Sequence, residues 1–166
     1  RLELRSPNIL RVGQDRGNER LDLGLRVFAL RQASRGPAAR IEYIFDGTLD
    51  KFPGLRVYAA HAGGYLPSYL GRTDVACDVR PDANCANKRR PRDYFTRELF
   101  VDTMVFSNEG LRHLVAELGA GQIVYGTDTP LNWPVTIDLV LNASFLDDAE
   151  KAAILGGNLE RLLRIA

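Results

Sequence analysis

The sequence predicts an α/β fold built from parallel βαβ units, and three observations carry that prediction. Three short apolar runs, LRVYAAH (55–61), ELFVDTMVF (98–106) and QIVYGTD (122–128), have the length and near-continuous apolar character of strands covered on both faces. Segments with helix signals alternate with these runs. The connections are short, as parallel strands joined by helical crossovers require. Three such units are half of a doubly wound sheet or less than half of an eight-stranded barrel, and residues 41–166 are too few to close a barrel alone.

Each element has a local reason. Residues 1–40 sustain neither period 2 nor period 3.6, and LDLGLRVFAL within them fits a short helix or a strand weakened by Gly24. This stretch reads as a flexible basic leader. IEYIFDGTLDKFP reads as a helix end running into a turn punctuated by Gly47 and Pro53. After the first strand, Pro67 suits the first turn of a helix through SYLGRTDVA, and CDVRPDANCANKRRP reads as an exposed loop. Ser107 is placed to cap a helix in which Leu111, Leu114, Val115 and Leu118 form one apolar stripe, and Gly119 and Gly121 end it. The last helix starts at Asp147, with Glu150 completing a capping box, and Gly156–Gly157 interrupts it before NLERLLRI.

Composition narrows the function classes. The formal net charge of +1 gives no whole-chain field for nucleic acid or membrane partners. Residues 1–40 hold nine Arg, no Lys and four acidic residues, net +5, which leaves net −4 for residues 41–166. No apolar run reaches the roughly 18 residues of a membrane span, and no signal-peptide core is visible. Cys77 and Cys85, spaced C-x7-C, lack the C-x2-C spacing of structural zinc sites and read as free loop thiols of a cytoplasmic protein. The run Lys88-Arg89-Arg90-Pro91-Arg92 fits a solvated loop or a contact with an anionic substrate or partner subunit.

Two residues stand where α/β folds assemble their sites, at the C-terminal ends of strands. His61 ends the first strand before Ala62-Gly63-Gly64. It fits either a hydrogen-bonded strand-end histidine or a functional one, and its position with the glycines favours function. Asp128, in GTDTP after the third strand, fits a metal ligand, a proton acceptor or a turn-forming carboxylate. Both fall on the same edge of one sheet, where they can meet. Asp102 lies inside the second strand among Val101, Met104 and Val105, so it needs a partner if buried and reads as a supporting residue. His113 falls off its helix's apolar stripe and faces solvent.

The order FDGTLDKFPGLRVYAAHAGGYLPSYLGR, RRPRDYF, LFVDTMVF, IVYGTDTP and AILGGNLERLL resembles the C-terminal part of the metal-dependent amidohydrolase-related family, in the branch of aminocarboxymuconate semialdehyde decarboxylase. The resemblance covers roughly residues 41–166. It implies the last three βα units of a (β/α)8 barrel, an incomplete TIM barrel, with a mononuclear divalent metal, usually zinc. It further implies that His61 is a catalytic histidine handling water or a substrate proton, and that Asp128 is the metal's carboxylate ligand. Arg72 matches an arginine that binds the substrate carboxylate in the neighbouring subunit's site, which implies a homodimer. The family's first strand carries an H-x-H pair of ligands and a later strand a third histidine, none of which this sequence has. Residues 1 to about 38 do not match the family, and a truncated or frame-disrupted product is expected.

The function expected is metal-dependent decarboxylation or hydrolysis of a small carboxylated organic substrate. Two other readings stay open: a non-catalytic fragment lacking most metal ligands, and an open-sheet binding module.

Overall fold

The computed structural model describes residues 3–6, 9–11, 26–30, 46–83 and 85–165. Among these residues, six strands form one sheet in chain order: β1 (Glu3–Ser6), β2 (Ile9–Arg11), β3 (Arg26–Leu30), β4 (Leu55–Ala59), β5 (Leu99–Asp102) and β6 (Ile123–Val124). β1 and β2 are antiparallel, and every later pair is parallel. A doubly wound sheet reverses its strand order at a switch point. Here the order never reverses among the described residues, so the parallel strands are consecutive staves of part of a (β/α)8 barrel.

The three predicted strands are β4, β5 and β6, each shorter than the apolar run that announces it. LDLGLRVFAL supplies β3. β1 and β2 also fall within the stretch expected to be a leader, while the helix end expected at residues 41–45 and leader residues 1–2, 7–8, 12–25 and 31–40 lie outside the described residues. Asp46 and Gly47 lead into α1 (Thr48–Lys51), where the Thr48 N–H donates to Asp46 Oδ1 at 2.8 Å. Pro67 opens a 3₁₀ turn that continues as α2 (Leu70–Val79). α3 (Pro91–Phe95) precedes β5, and α4 (Asn108–Leu118) connects β5 to β6.

Strand alternation divides the packing between two faces. Leu55, Val57, Ala59, Leu99, Val101 and Ile123 join the main core with Leu111, Leu114 and Leu118, the predicted stripe of α4. Ser107 caps α4 by accepting from the Gly110 N–H at 3.1 Å, and Gly119 ends it at φ 81°. On the other face Tyr58, Phe100 and Val124 pack with Leu162 and Leu163 in a smaller cluster. Asp102 shares that second face.

After β6 come α5 (Ile137–Leu141), α6 (Asp148–Ala152) and α7 (Asn158–Leu163). The capping box is present, with the Glu150 N–H on Asp147 Oδ1 at 2.7 Å and the Asp147 N–H on Glu150 Oε2 at 3.1 Å. The glycine pair does not break the helix. Residues Ala153–Gly157 form a π turn that joins α6 to α7. There the Ile154 carbonyl accepts the Tyr125 N–H at 2.8 Å, and Asn158 Nδ2 donates to the carbonyls of Ala120 and Ile123 at 2.8 and 2.7 Å. Both ends of β6 are thereby tied to one helix. Among the described residues no helix is long and apolar enough to cross a membrane.

Two expectations change. Cys77 and Cys85 are not free thiols; they form a disulfide, and Cys77 lies in the last part of α2. Closing so short a loop restricts the unfolded chain by about 2–3 kcal/mol, and it removes the thiol argument for a cytoplasmic setting. The basic run is also not a free patch. Arg89 pairs with Glu98 at 3.0 Å and lies 4.1 Å over the ring of Tyr94; Arg90 faces Asp78 at 3.9 Å; Arg92 meets Asp74 at 3.5 Å and Glu117 at 3.1 Å.

The buried Tyr94 hydroxyl donates to Asp50 Oδ2 at 2.6 Å, and the Lys88 N–H donates to the same oxygen at 2.8 Å. Burial raises the Asp50 carboxyl, but these hydrogen bonds and the charges of Arg89 and Lys88 outweigh it and hold the carboxyl below its ordinary value. A carboxyl depressed in the folded state contributes stability above its unfolded value, and that contribution is lost as pH falls through the folded one. The urea midpoint of the wild type should therefore exceed that of Asp50→Asn at pH 7, and the gap should narrow as pH falls below about 4. A gap independent of pH would contradict this account.

Candidate active site

β4 delivers its C-terminal end into a run of four residues in the left-handed region: His61 (φ 58°), Ala62 (φ 55°), Gly63 (φ 73°) and Gly64 (φ 66°). For His61 and Ala62, this conformation costs about 1–2 kcal/mol each. The neighbouring strand holds it in place. Asp102, 3% exposed at the end of β5, accepts the His61 N–H at 2.8 Å on Oδ2 and the Ala62 N–H at 2.6 Å on Oδ1. The Met104 N–H adds a bond to Oδ1 at 3.1 Å, and the Tyr58 hydroxyl one to Oδ2 at 3.1 Å. Four donors thus converge on one buried carboxylate, each bond to a charged acceptor contributing about 1.5–3 kcal/mol. Burial first, then the charge and hydrogen bond of Asp102 and the charge of Asp128, raise the Tyr58 phenol above its ordinary value. Tyr58 remains a neutral donor.

Two glycines are required by close approach. A Cβ on Gly63 would lie 3.0 Å from Val101 Cγ1 at a φ that side chains rarely adopt. A Cβ on Gly126 would lie 2.9 Å from Asp102 Cβ and 3.3 Å from the Tyr58 hydroxyl. Gly126 therefore lets the chain leaving β6 pass directly over the Asp102–Tyr58 pair.

That path brings Asp128 to His61. Asp128 has φ 52°, and its Oδ1 lies 3.4 Å from His61 Nε2. Its carbonyl accepts the Leu131 N–H at 3.0 Å, so the turn anticipated before Pro130 does form. Its carboxylate does not cap that turn, because Oδ2 instead accepts from Trp133 Nε1 at 3.1 Å. The buried hydroxyls of Thr103 and Thr136, 2.9 Å apart, brace the same loop against the end of β5. Phe106 contacts the Trp133 ring with centroids 5.6 Å apart, and Phe106, Leu131 and Trp133 give the rim of the site an exposed apolar surface.

The structure brings His61 and Asp128 together on the support of Asp102. It leaves Arg72 apart, exposed on the first turn of α2 and without an ion pair to either of them. His113 sits on the exposed side of α4 against Ser68 Oγ at 3.0 Å. Among the described residues no three His, Cys, Asp or Glu side chains gather where they can hold a metal ion. Sequence reasoning missed Tyr58 and Trp133. Alternation puts Tyr58 on the face of Asp102, a usable signal; Trp133 lies in an aperiodic loop that gives none.

Asp102→Ala would leave the His61 and Ala62 N–H groups without their acceptor in a strained turn. The expected loss is about 2–5 kcal/mol, read as a lower urea midpoint. A loss under about 1 kcal/mol would show that the turn does not depend on Asp102.

Comparison with known proteins agrees with this architecture. The amidohydrolase family pattern matches residues 34–165. The chain is 35% identical over 119 residues to the 2-amino-3-carboxymuconate-6-semialdehyde decarboxylase of Dictyostelium discoideum, covering 69% of this chain and 33% of that protein. It is similar in structure to 5-carboxyvanillate decarboxylase from Sphingomonas paucimobilis, with a TM-score of 0.70, 26% identity, and 78% of this chain on 39% of that one. It also shares the fold of dihydroxybenzoic acid decarboxylase from Polaromonas, a structure with bound manganese and the inhibitor 2-nitroresorcinol (TM-score 0.69, 24% identity, 83% of this chain on 49% of that one). The chain spans about a third of the curated relative's length. With the family pattern matching most of its residues, the chain belongs to the amidohydrolase family.

Proposed function

We propose that this chain carries the proton-transfer side of a non-oxidative decarboxylase for a small aromatic or conjugated carboxylic acid. One observation carries the reading: His61 Nε2 and Asp128 Oδ1 stand 3.4 Å apart at the C-terminal ends of parallel strands, beneath an apolar rim. Decarboxylation breaks the carbon–carboxylate bond and leaves its electron pair on the substrate carbon. That carbon must gain a proton as carbon dioxide departs. A protonated His61 supplies it from Nε2, and the Asp128 carboxylate stabilises the imidazolium until transfer. Phe106, Leu131 and Trp133 offer the substrate ring an apolar wall. The names of the similar proteins support decarboxylation over hydrolysis.

Arg72, exposed and apart from this pair, is assigned to the carboxylate of a substrate held by a neighbouring subunit, where a guanidinium pairs in bidentate fashion. A homodimer is part of that assignment. A divalent metal also belongs to the reading, supported by the manganese of the Polaromonas structure, with zinc as the resemblance's expectation. Asp128 is the carboxylate suited to hold it. Yet Asp128 and His61 make two donors, whereas a catalytic zinc takes three protein ligands, so the described residues do not complete a metal centre. The proton step needs only His61 and Asp128.

The test is carbon dioxide release from 2,6-dihydroxybenzoate and related ring carboxylates, with and without added manganese. The wild type should turn over at least one of these acids, and His61→Gln should lower kcat by about 10²–10⁴-fold. Equal turnover by the two proteins would remove the role of His61. Absence of turnover by the wild type would favour a non-catalytic chain.

A further inference from the structure

Asp128 needs a hold that its own turn does not supply. An aspartate side chain swings about two torsions, and the terminal one is broad. The 3.4 Å contact with His61 Nε2 is longer than a strong N–H···O bond, so the imidazole does not by itself fix the direction of Oδ1. Trp133 Nε1 lies 3.1 Å from Oδ2, within hydrogen-bond range. An indole N–H is a donor only, so it serves this carboxylate in a single sense. The two oxygens are rigidly joined, and fixing Oδ2 therefore limits where Oδ1 points.

The loop folds the indole back onto the residue five positions before it. The Leu131 N–H donates to the Asp128 carbonyl at 3.0 Å, and the Trp133 N–H donates to the Leu131 carbonyl at 2.9 Å. These two successive turns return the Trp133 side chain to Asp128. From the β5 end, Phe106 at φ 53° brings its ring to 5.6 Å from the Trp133 ring, centroid to centroid. The buried Thr136 hydroxyl ties the far end of the same loop to Thr103 at 2.9 Å. The indole is thus held at its N–H edge and against a second ring, although about half of its surface is exposed.

We propose that Trp133 is a positioning residue of the active site: its N–H holds the Asp128 carboxylate in the orientation that meets His61, and Phe106 steadies the indole. This role goes beyond the apolar wall that Trp133 shares with Phe106 and Leu131, and it rests on His61 and Asp128 being the working pair. A wall needs only an apolar ring, which phenylalanine also supplies. A positioning residue needs the N–H, which phenylalanine lacks.

Trp133→Phe separates the two roles, and the chain's single Trp gives one indole signal to follow. Magnetic resonance of the full chain at one fixed pH reads the bond. The wild-type indole N–H should exchange with water at least about tenfold more slowly than a free indole, and Asp128→Ala should abolish that protection. In Trp133→Phe the His61 ring signals should shift, while the His61 and Ala62 backbone amides, held by Asp102, stay in place. Should those amides move as well, the wild-type indole exchange and its loss in Asp128→Ala decide the matter. Where the wild type turns over a ring carboxylate, Trp133→Phe should lower kcat by about 10–10²-fold and change KM by less than about threefold. Absence of turnover by the wild type removes the decarboxylase reading and leaves the resonance measurements to judge this one. An indole N–H that exchanges like a free indole, or unchanged His61 ring signals in Trp133→Phe, would overturn the proposal.

Discussion

The candidate active site depends on a buried carboxylate that receives the backbone of the neighbouring strand's end. Asp102 takes the N–H groups of His61 and Ala62 while both residues hold left-handed conformations that a side chain disfavours. The hydrogen bonds outweigh the strain because a charged acceptor in a low-dielectric setting binds each N–H more strongly than a neutral carbonyl does. Without this clasp nothing on β4 itself would turn the imidazole toward β6. The same carboxylate is covered by Gly126, whose missing side chain lets the segment carrying Asp128 cross over it. The His61–Asp128 encounter is therefore an outcome of packing around Asp102.

The two ends of the parallel strands carry different chemistry. At the C-terminal ends an imidazole and a carboxylate meet beneath aromatic side chains, a setting suited to moving one proton beside a ring. At the N-terminal ends Arg56, Arg97, Arg161 and Arg164 line a cleft. The elements between them separate the two regions. β6, only two residues long, is held by the π turn and by Asn158, which fixes where its following loop departs.

Much of this was legible in the sequence, for definite reasons. The stripe Leu111, Leu114, Leu118 and the Ser107 cap encode α4 through spacing and local chemistry alone, and the capping box of Asp147 and Glu150 marks the start of α6 in the same way. His61 and Asp128 were legible because strand ends are recognisable and parallel strands bring their ends to one edge. The supporting role of Asp102 followed from a carboxylate set among apolar residues, although its partners did not. Those partners are main-chain N–H groups in a left-handed turn, which leave no mark on side-chain pattern. Trp133 reaches Asp128 through a loop with no period, and the pairing of Cys77 with Cys85 depends on how α2 ends. Arg56, Arg97 and Arg161 lie far apart in the chain and share a cleft only through strand register.

Hydrogen exchange of the His61 and Ala62 amides tests the central claim most directly. Amides held on a buried carboxylate should exchange as slowly as the amides within β4, despite lying in the turn beyond the strand. Exchange at the rate of an open surface turn would contradict the clasp, and with it the basis for the meeting of His61 and Asp128.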